Sequence, residues 1–195
     1  MTKIKLCGLS CVEDIRAANE LCPEFIGFVF AEKSRRYISP EKAAALKKIL
    51  RKEISAVGVF VDAEIKTVAT LANQNIIDAI QLHGNEDDDY IKNLRALTDK
   101  LIIKAVHFDA LKNFAADFLL IDSGAGDGKI FDWSLIKNFS RPYFLAGGLT
   151  PENVSAAIKF LKPFAVDVSS GIETNGRKDA AKMREFVTAV RGAIL

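Results

Sequence analysis

The sequence predicts a closed (βα)8 barrel of the TIM type in one domain spanning 1–195, and three observations predict it. Eight short apolar runs recur along the 195 residues, each continuous rather than alternating, as strands buried on both faces of a parallel sheet are. Longer amphipathic stretches separate most of them. Polar, titratable and glycine residues gather directly after the runs, on what would be one rim of the barrel.

Taken in chain order, the strands are expected at Ile4–Cys7, Phe25–Phe30, Ala56–Val61, Ala79–Leu82, Leu101–Val106, Phe118–Ile121, Tyr143–Ala146 and Ala165–Val168. Helices are expected at Val12–Leu21, Pro40–Arg51, Glu64–Asn73, Glu86–Leu97, Trp133–Asn138, Pro151–Phe160 and Asp179–Ile194. The helix after the fifth strand, near Phe108–Ala115, is short or missing. Ser39-Pro40-Glu41 and Thr150-Pro151-Glu152 each place a capping hydroxyl before a proline at the first helical position. An open flavodoxin-like sheet needs only about five strands, which would leave three runs unused. KLCGLS after the first strand carries one glycine, so the Gly-rich dinucleotide fingerprint is absent there.

The chain is 49% hydrophobic, enough to fill a core without disulfide or metal staples, and its formal charge of +2 is close to balance. That balance gives no warrant for a nucleic-acid or membrane partner. The three cysteines, Cys7, Cys11 and Cys22, have no disulfide-like spacing, which suits a reducing compartment. No apolar run approaches the roughly 20 residues that span a bilayer, and the N-terminus lacks a signal-peptide core. A soluble, cytoplasmic protein is the expectation.

In this fold chemistry belongs at the carboxyl ends of the strands. Those ends offer Cys7-Gly8, Ser34-Arg35-Arg36, Asp62, Gln81-Leu82-His83-Gly84, His107, Asp122 with the run 123–128, Gly147-Gly148 and Ser169-Ser170-Gly171. The last two groups are tight turns or, being successive loops after strands seven and eight, the phosphate site common to such barrels. A cysteine at a strand end is either a buried small hydrophobe or a base, and the base needs nearby positive charge to ionise at neutral pH. Asp122 is either a turn cap or an acid; the glycine-rich loop after it favours the acid, because such a loop could close over a substrate. His83 and His107 read as hydrogen-bonded rim residues rather than zinc ligands, and no metal site is expected. Cys7 and Cys11, spaced C-x3-C, lack a matching second half.

The segments KLCGLS, GFVFAEKSRRYISPEKA, VGVFVD, IQLHGNED, GKIFDW, FLAGGLTPENV and VDVSSGIETNGRKD resemble phosphoribosylanthranilate isomerase in order and spacing, over Lys3 to Val187. The resemblance implies a (βα)8 barrel of tryptophan biosynthesis. It would convert N-(5-phosphoribosyl)anthranilate to 1-(2-carboxyphenylamino)-1-deoxyribulose 5-phosphate by an Amadori rearrangement, without metal or organic cofactor. It places the general base on Cys7, the general acid on Asp122, a substrate-binding arginine on Arg36, and the phosphate on Gly147, Gly148, Ser169, Ser170 and Gly171. His83 joins the substrate-binding set. Asp167, inside the eighth strand, is either a substrate-facing group or a satisfied core carboxylate.

Two departures from the family pattern stand out. Arg35 occupies a position usually held by proline, so either Arg35 or Arg36 could meet the ligand. Asp127 replaces a small hydroxyl residue; Asp122 remains the preferred acid because a strand end is held more rigidly than a glycine-rich loop. Indoleglycerol-phosphate synthase would want a lysine acid and an extra N-terminal segment. The histidine-pathway isomerase would want an internal two-fold repeat. The rival of another class is a catalytically silent phosphosugar-binding barrel. Monomer and homodimer both stay open; Phe114, Phe139 or Phe160 could serve an interface.

Overall fold

All eight apolar runs form strands. The computed structural model describes residues 1–112, 114–122 and 132–193, and within them β1 (Lys3–Cys7), β2 (Phe25–Val29), β3 (Ser55–Phe60), β4 (Ala79–Leu82), β5 (Leu101–His107), β6 (Phe118–Asp122), β7 (Tyr143–Leu145) and β8 (Ala165–Val168) hydrogen-bond in sequence order. Every pairing is parallel, and β8 returns to β1 with Asp167 opposite Lys5, closing the ring. The expected architecture is therefore the observed one.

Helices α1 (Val12–Leu21), α2 (Pro40–Ile49), α3 (Ile65–Asn73), α4 (Asp88–Arg95), α5 (Val154–Leu161) and α6 (Ala180–Arg191) cover the outside. Two layers of core result. Between strands and helices, Ile15, Phe28, Leu119, Ile158 and Phe186 fill one side, and Phe60, Val68, Ile80 and Leu94 the other. Inside the barrel Val57, Ala79, Ile103, Leu120, Phe144 and Ala165 form an apolar floor. The polar mouth is built on top of this floor.

Helix starts follow the local chemistry. Ser39 Oγ accepts from Lys42 N with Pro40 next in the chain, as the sequence suggests; Asp87 and Asp179 cap α4 and α6 in the same way. The second proposed start is corrected. Thr150 does not cap a helix at Pro151; residues 151–153 form a turn, and α5 begins at Val154 with Asn153 at its N-cap position. The Asn153 carboxamide accepts from Thr150 N and donates to Gly148 O, which holds the chain in that turn. The Trp133–Asn138 segment is a single 3-10 turn, Trp133–Ile136, rather than an α-helix. Among the described residues no helix lies between β5 and β6, in line with the weak pattern there. No helix of the described residues is long and apolar enough to cross a membrane.

Candidate active site

Alternation along the strands decides what reaches the mouth. Lys5 and Cys7 share one face of β1. Gln81 and His83 do so at the end of β4, and Asp167 and Ser169 at the end of β8. Apolar side chains lie between them. These residues line a cavity of about 310 Å³ together with Arg36, Asp122, Gly147, Gly148 and Ser170, Lys5 lying beneath its Asp167 wall.

Cys7 is buried against β2. A Cβ at Gly27 would stand 2.6 Å from its Sγ, so the glycine makes room for the thiol. Burial pushes the Cys7 thiol above its ordinary range; the ammonium groups of Lys5 and Lys178 pull it down, and the Asp167 carboxylate pushes it up. Lys5 Nζ donates to Asp167 Oδ1 over 2.9 Å, with the lysine wholly buried. Burial alone would pull Lys5 down, but Asp167 and Cys7 outweigh it and hold the ammonium charged.

On β6, Asp122 Oδ2 stands 3.7 Å from His83 Nε2. The other ring nitrogen of His83 is 2.8 Å from Gln81 Nε2. Burial drives His83 below its usual pKa, more than the Asp122 and Asp167 carboxylates raise it. His107 pairs instead with Asp109, and Asp62 is absent from the cavity lining and accepts from Asn85 in the connection after β4.

The arginine question has a geometric answer. Arg36 lines the cavity, whereas the Arg35 side chain is 60% exposed. Both meet Glu173: Arg36 donates from Nε to Oε1 (2.6 Å) and from Nη2 to Oε2 (3.1 Å), and Arg35 donates to Oε2 (2.8 Å). Lys178 Nζ adds a third cation at 2.8 Å while also donating to the Ser169 carbonyl and hydroxyl. Burial pushes the Glu173 carboxyl up, yet the bonds and charges of Arg36 and Lys178 outweigh it and hold it at about 2. Three cations around one carboxylate leave this corner of the cavity positive. Gly8, at φ +81°, keeps its backbone close enough for the Arg36 stem to lie across it.

Gly147 and Gly148 adopt φ of +87° and +63°, a left-handed backbone that favours glycine. With Ser169 and Ser170 they form one edge of the cavity, between Asp122 and Cys7 around the ring. Gly171 sits behind this edge and does not line the cavity. A Cβ there would collide with the Leu149 carbonyl oxygen, so it lets the β7 and β8 loops pack on each other. Asp127 and the 123–129 loop lie outside the described residues.

Lys5, Glu173 and Lys178 are members of the site that the sequence reading passed over, and Gln81 stood among its strand ends without a role. A signal for each was present. Lys5 and Gln81 are polar residues inside otherwise apolar strands, each two positions before a candidate already chosen. Glu173 and Lys178 belong to a short hairpin, Glu173–Thr174 against Arg177–Lys178, whose Asn175-Gly176 turn, with both residues at positive φ, is a local hairpin signal that the reading did not use.

Comparison with known proteins agrees with this fold. Residues 4–189 match the family model described as N-(5'phosphoribosyl)anthranilate (PRA) isomerase. A relative named N-(5'-phosphoribosyl)anthranilate isomerase, from Endomicrobium trichonymphae, is 44% identical over 199 residues, covering 98% of this chain and 99% of the relative. The crystal structure of phosphoribosyl anthranilate isomerase from Thermus thermophilus superposes with a TM-score of 0.89 at 30% identity, covering 99% of this chain and 100% of that one. A further structure of such an isomerase, in complex with reduced 1-(o-carboxyphenylamino)-1-deoxyribulose 5-phosphate, gives a TM-score of 0.85 at 36% identity over 98% of this chain and 100% of that one. With a family match over residues 4–189 and the barrel fold of these solved structures, the chain belongs to the N-(5'-phosphoribosyl)anthranilate isomerase family.

Proposed function

We propose that this barrel isomerises N-(5-phosphoribosyl)anthranilate to 1-(2-carboxyphenylamino)-1-deoxyribulose 5-phosphate with Cys7 as base and Asp122 as acid. The observation that carries the assignment is the placement of these two groups in one cavity, three strands apart around the ring, with the glycine and serine edge between them. A phosphate held on Gly147, Gly148, Ser169 and Ser170 would extend the sugar across the mouth toward Arg36. Backbone N–H groups at such loops suit an anion, and the positive corner built by Arg36 suits the anthranilate carboxylate.

The chemistry needs two proton transfers. Protonated Asp122 donates to the furanose oxygen; the C1–O bond breaks as the anilino nitrogen lone pair forms a C1=N iminium. The Cys7 thiolate then removes the proton from C2, and the electron pair of that C–H bond moves to give the enolamine. Tautomerisation returns a proton to C1 and leaves a ketone at C2. Electrons move only within the substrate, from C2 to C1, so a donor and an acceptor of protons suffice. His83 facing Asp122 and Asp167 facing the sugar complete the substrate-binding set.

The test is a coupled assay in which phosphoribosylanthranilate is generated in place and its fluorescence decay followed for wild type, Cys7→Ala and Asp122→Asn. Decay above the spontaneous rate, lost in both variants while phosphosugar binding persists, is the expected result. A folded wild type that accelerates nothing would promote the silent binding barrel, and full activity in Cys7→Ala would remove the base.

A further inference from the structure

Lys5 is a lysine with no access to water, placed inside a barrel whose floor is otherwise apolar. Fully buried lysines are rare, and a buried ion pair can often be replaced by apolar side chains of similar volume at no loss of stability. Val57, Ile103, Leu120 and Phe144 show that this barrel fills its floor with such side chains elsewhere. Stability therefore gives a weak account of the Lys5–Asp167 pair. The residue two positions along β1 gives a better one.

Cys7 lies on the same face of β1 as Lys5, one layer nearer the mouth. The Lys5 ammonium donates to Asp167, its register partner on β8, and its charge acts on the Cys7 thiol two positions along the same strand face. Burial opposes ionisation of that thiol, and a thiolate is the form that can take a proton from carbon. The groups facing Cys7 can be taken element by element. β1 contributes Lys5, β8 contributes Asp167, and the hairpin after β8 contributes Lys178, with Glu173 behind it. β2 sets Gly27 and Val29 beside the thiol and no charge, the connection after it lays Arg36 over the neighbouring Gly8, and His83 and Asp122 line the same cavity. Of the two nearby ammonium groups, Lys178 is already engaged by Glu173 and by both oxygens of Ser169. Lys5 has one carboxylate partner, Asp167.

We propose that Lys5 is a positioning residue for the base: its buried ammonium is the counter-charge against which Cys7 ionises, and Asp167 anchors that ammonium in place. Lys5 keeps its own proton throughout. When the thiolate takes the C2 proton, the charge on sulfur falls from −1 to zero and Lys5 remains bound to Asp167. The inference rests on the assignment of Cys7 as the base.

The test titrates the thiol directly. In a Cys11→Ser/Cys22→Ser background, the rate of Cys7 alkylation by iodoacetamide is followed against pH for Lys5 and for Lys5→Met. Each unit by which the midpoint rises lowers the thiolate fraction about tenfold at a pH below it. The expected result is a midpoint raised by at least one such unit in Lys5→Met, with the acid limb of kcat/KM moving by the same amount and substrate KM little changed. Because Lys5→Met strands a buried carboxylate, Lys5→Met/Asp167→Asn serves as the variant that keeps the interior neutral. Its midpoint also rises, by less, since the cation favours the thiolate more than Asp167 opposes it. An unchanged midpoint in a folded variant of either kind would overturn the proposal. Retained turnover in Cys7→Ala, with the midpoint still shifted by Lys5→Met, would instead remove the base and leave the Lys5–thiol coupling standing.

Discussion

Gln81 Nε2 donates to His83 Nδ1 over 2.8 Å, and this places the single proton of a neutral His83 on Nε2, the nitrogen 3.7 Å from Asp122 Oδ2. The imidazole thus presents an N–H to the carboxyl group assigned as the acid. Burial keeps it neutral by lowering its pKa. An NMR titration of the ring proton is expected to give a midpoint below the ordinary value of about 6.5. The folded protein resists a proton that the unfolded chain accepts, so His83 costs stability as pH falls below about 6.5. Gln81→Leu should lift that midpoint and lower kcat with little change in KM. An unmoved midpoint would show that Gln81 does not control the ring.

Glu173→Gln is expected to raise substrate KM about tenfold or more and to lower kcat less. The carboxylate orients Arg36 through two charge-assisted hydrogen bonds, each of which is ordinarily worth roughly 1.5–3 kcal/mol. Its folded-state pKa of about 2 lies below the ordinary carboxylate value. The stabilisation it provides is therefore fully present above about pH 4.3 and is lost as pH falls toward 2. Melting curves of wild type and variant should converge across that window. A Tm difference that stays constant down to pH 2 would contradict this account.

Gly27→Ala should cost on the order of a hundredfold in kcat, the penalty expected of displacing a reacting group by about 1 Å. The new Cβ would sit 2.6 Å from Cys7 Sγ and 3.1 Å from Cys7 Cα, so the thiol has to shift. Comparing kcat with the Tm separates this from a folding defect. A variant with normal kcat would show that the thiol tolerates the shift.

Lys104→Met tests a further buried ion pair, outside the barrel wall. Lys104 Nζ donates to Glu86 Oε2 over 2.9 Å and to the Gly84 carbonyl over 2.6 Å, and the two side chains are 3% and 1% exposed. Glu86 in turn accepts from the N–H groups of Asp62 and Gly84. Removing the cation strands that carboxylate, which typically costs about 3–5 kcal/mol. Urea unfolding should show a loss of that order. A loss under about 1 kcal/mol would indicate that the loop after β4 is held by other contacts.

The division between what the sequence announced and what it concealed follows physical lines. Continuous apolar runs such as Phe25–Val29 and Tyr143–Leu145 are visible because burial on both faces of a strand removes alternation. Cys7, Asp122, Arg36 and the Gly147-Gly148 turn are visible because they stand where strands end. Lys5 was passed over, and Gln81 named without a role, because a polar residue inside a strand reads as a flaw in the pattern until alternation is followed to the next position. Glu173 is harder to find. Its role depends on contacts to Arg35 and Arg36 across more than 130 positions of chain, and no local spacing encodes that distance. The start of α5 failed for a similar reason on a shorter scale. Thr150-Pro151 carries good start chemistry, but the Asn153 side chain diverts the backbone first.

The hairpin that bears Glu173 also bears on loop transplantation between barrels. Such work treats each connection after a strand as a separate cassette. Here the segment after β2 and the segment after β8 are fastened by Arg35, Arg36 and Glu173, and Lys178 continues the fastening into the serine edge. The exchangeable unit is therefore the two connections together. A donor loop grafted after β8 without its arginine-bearing counterpart would import a carboxylate with no cation to receive it, and leave the host arginines without their mooring.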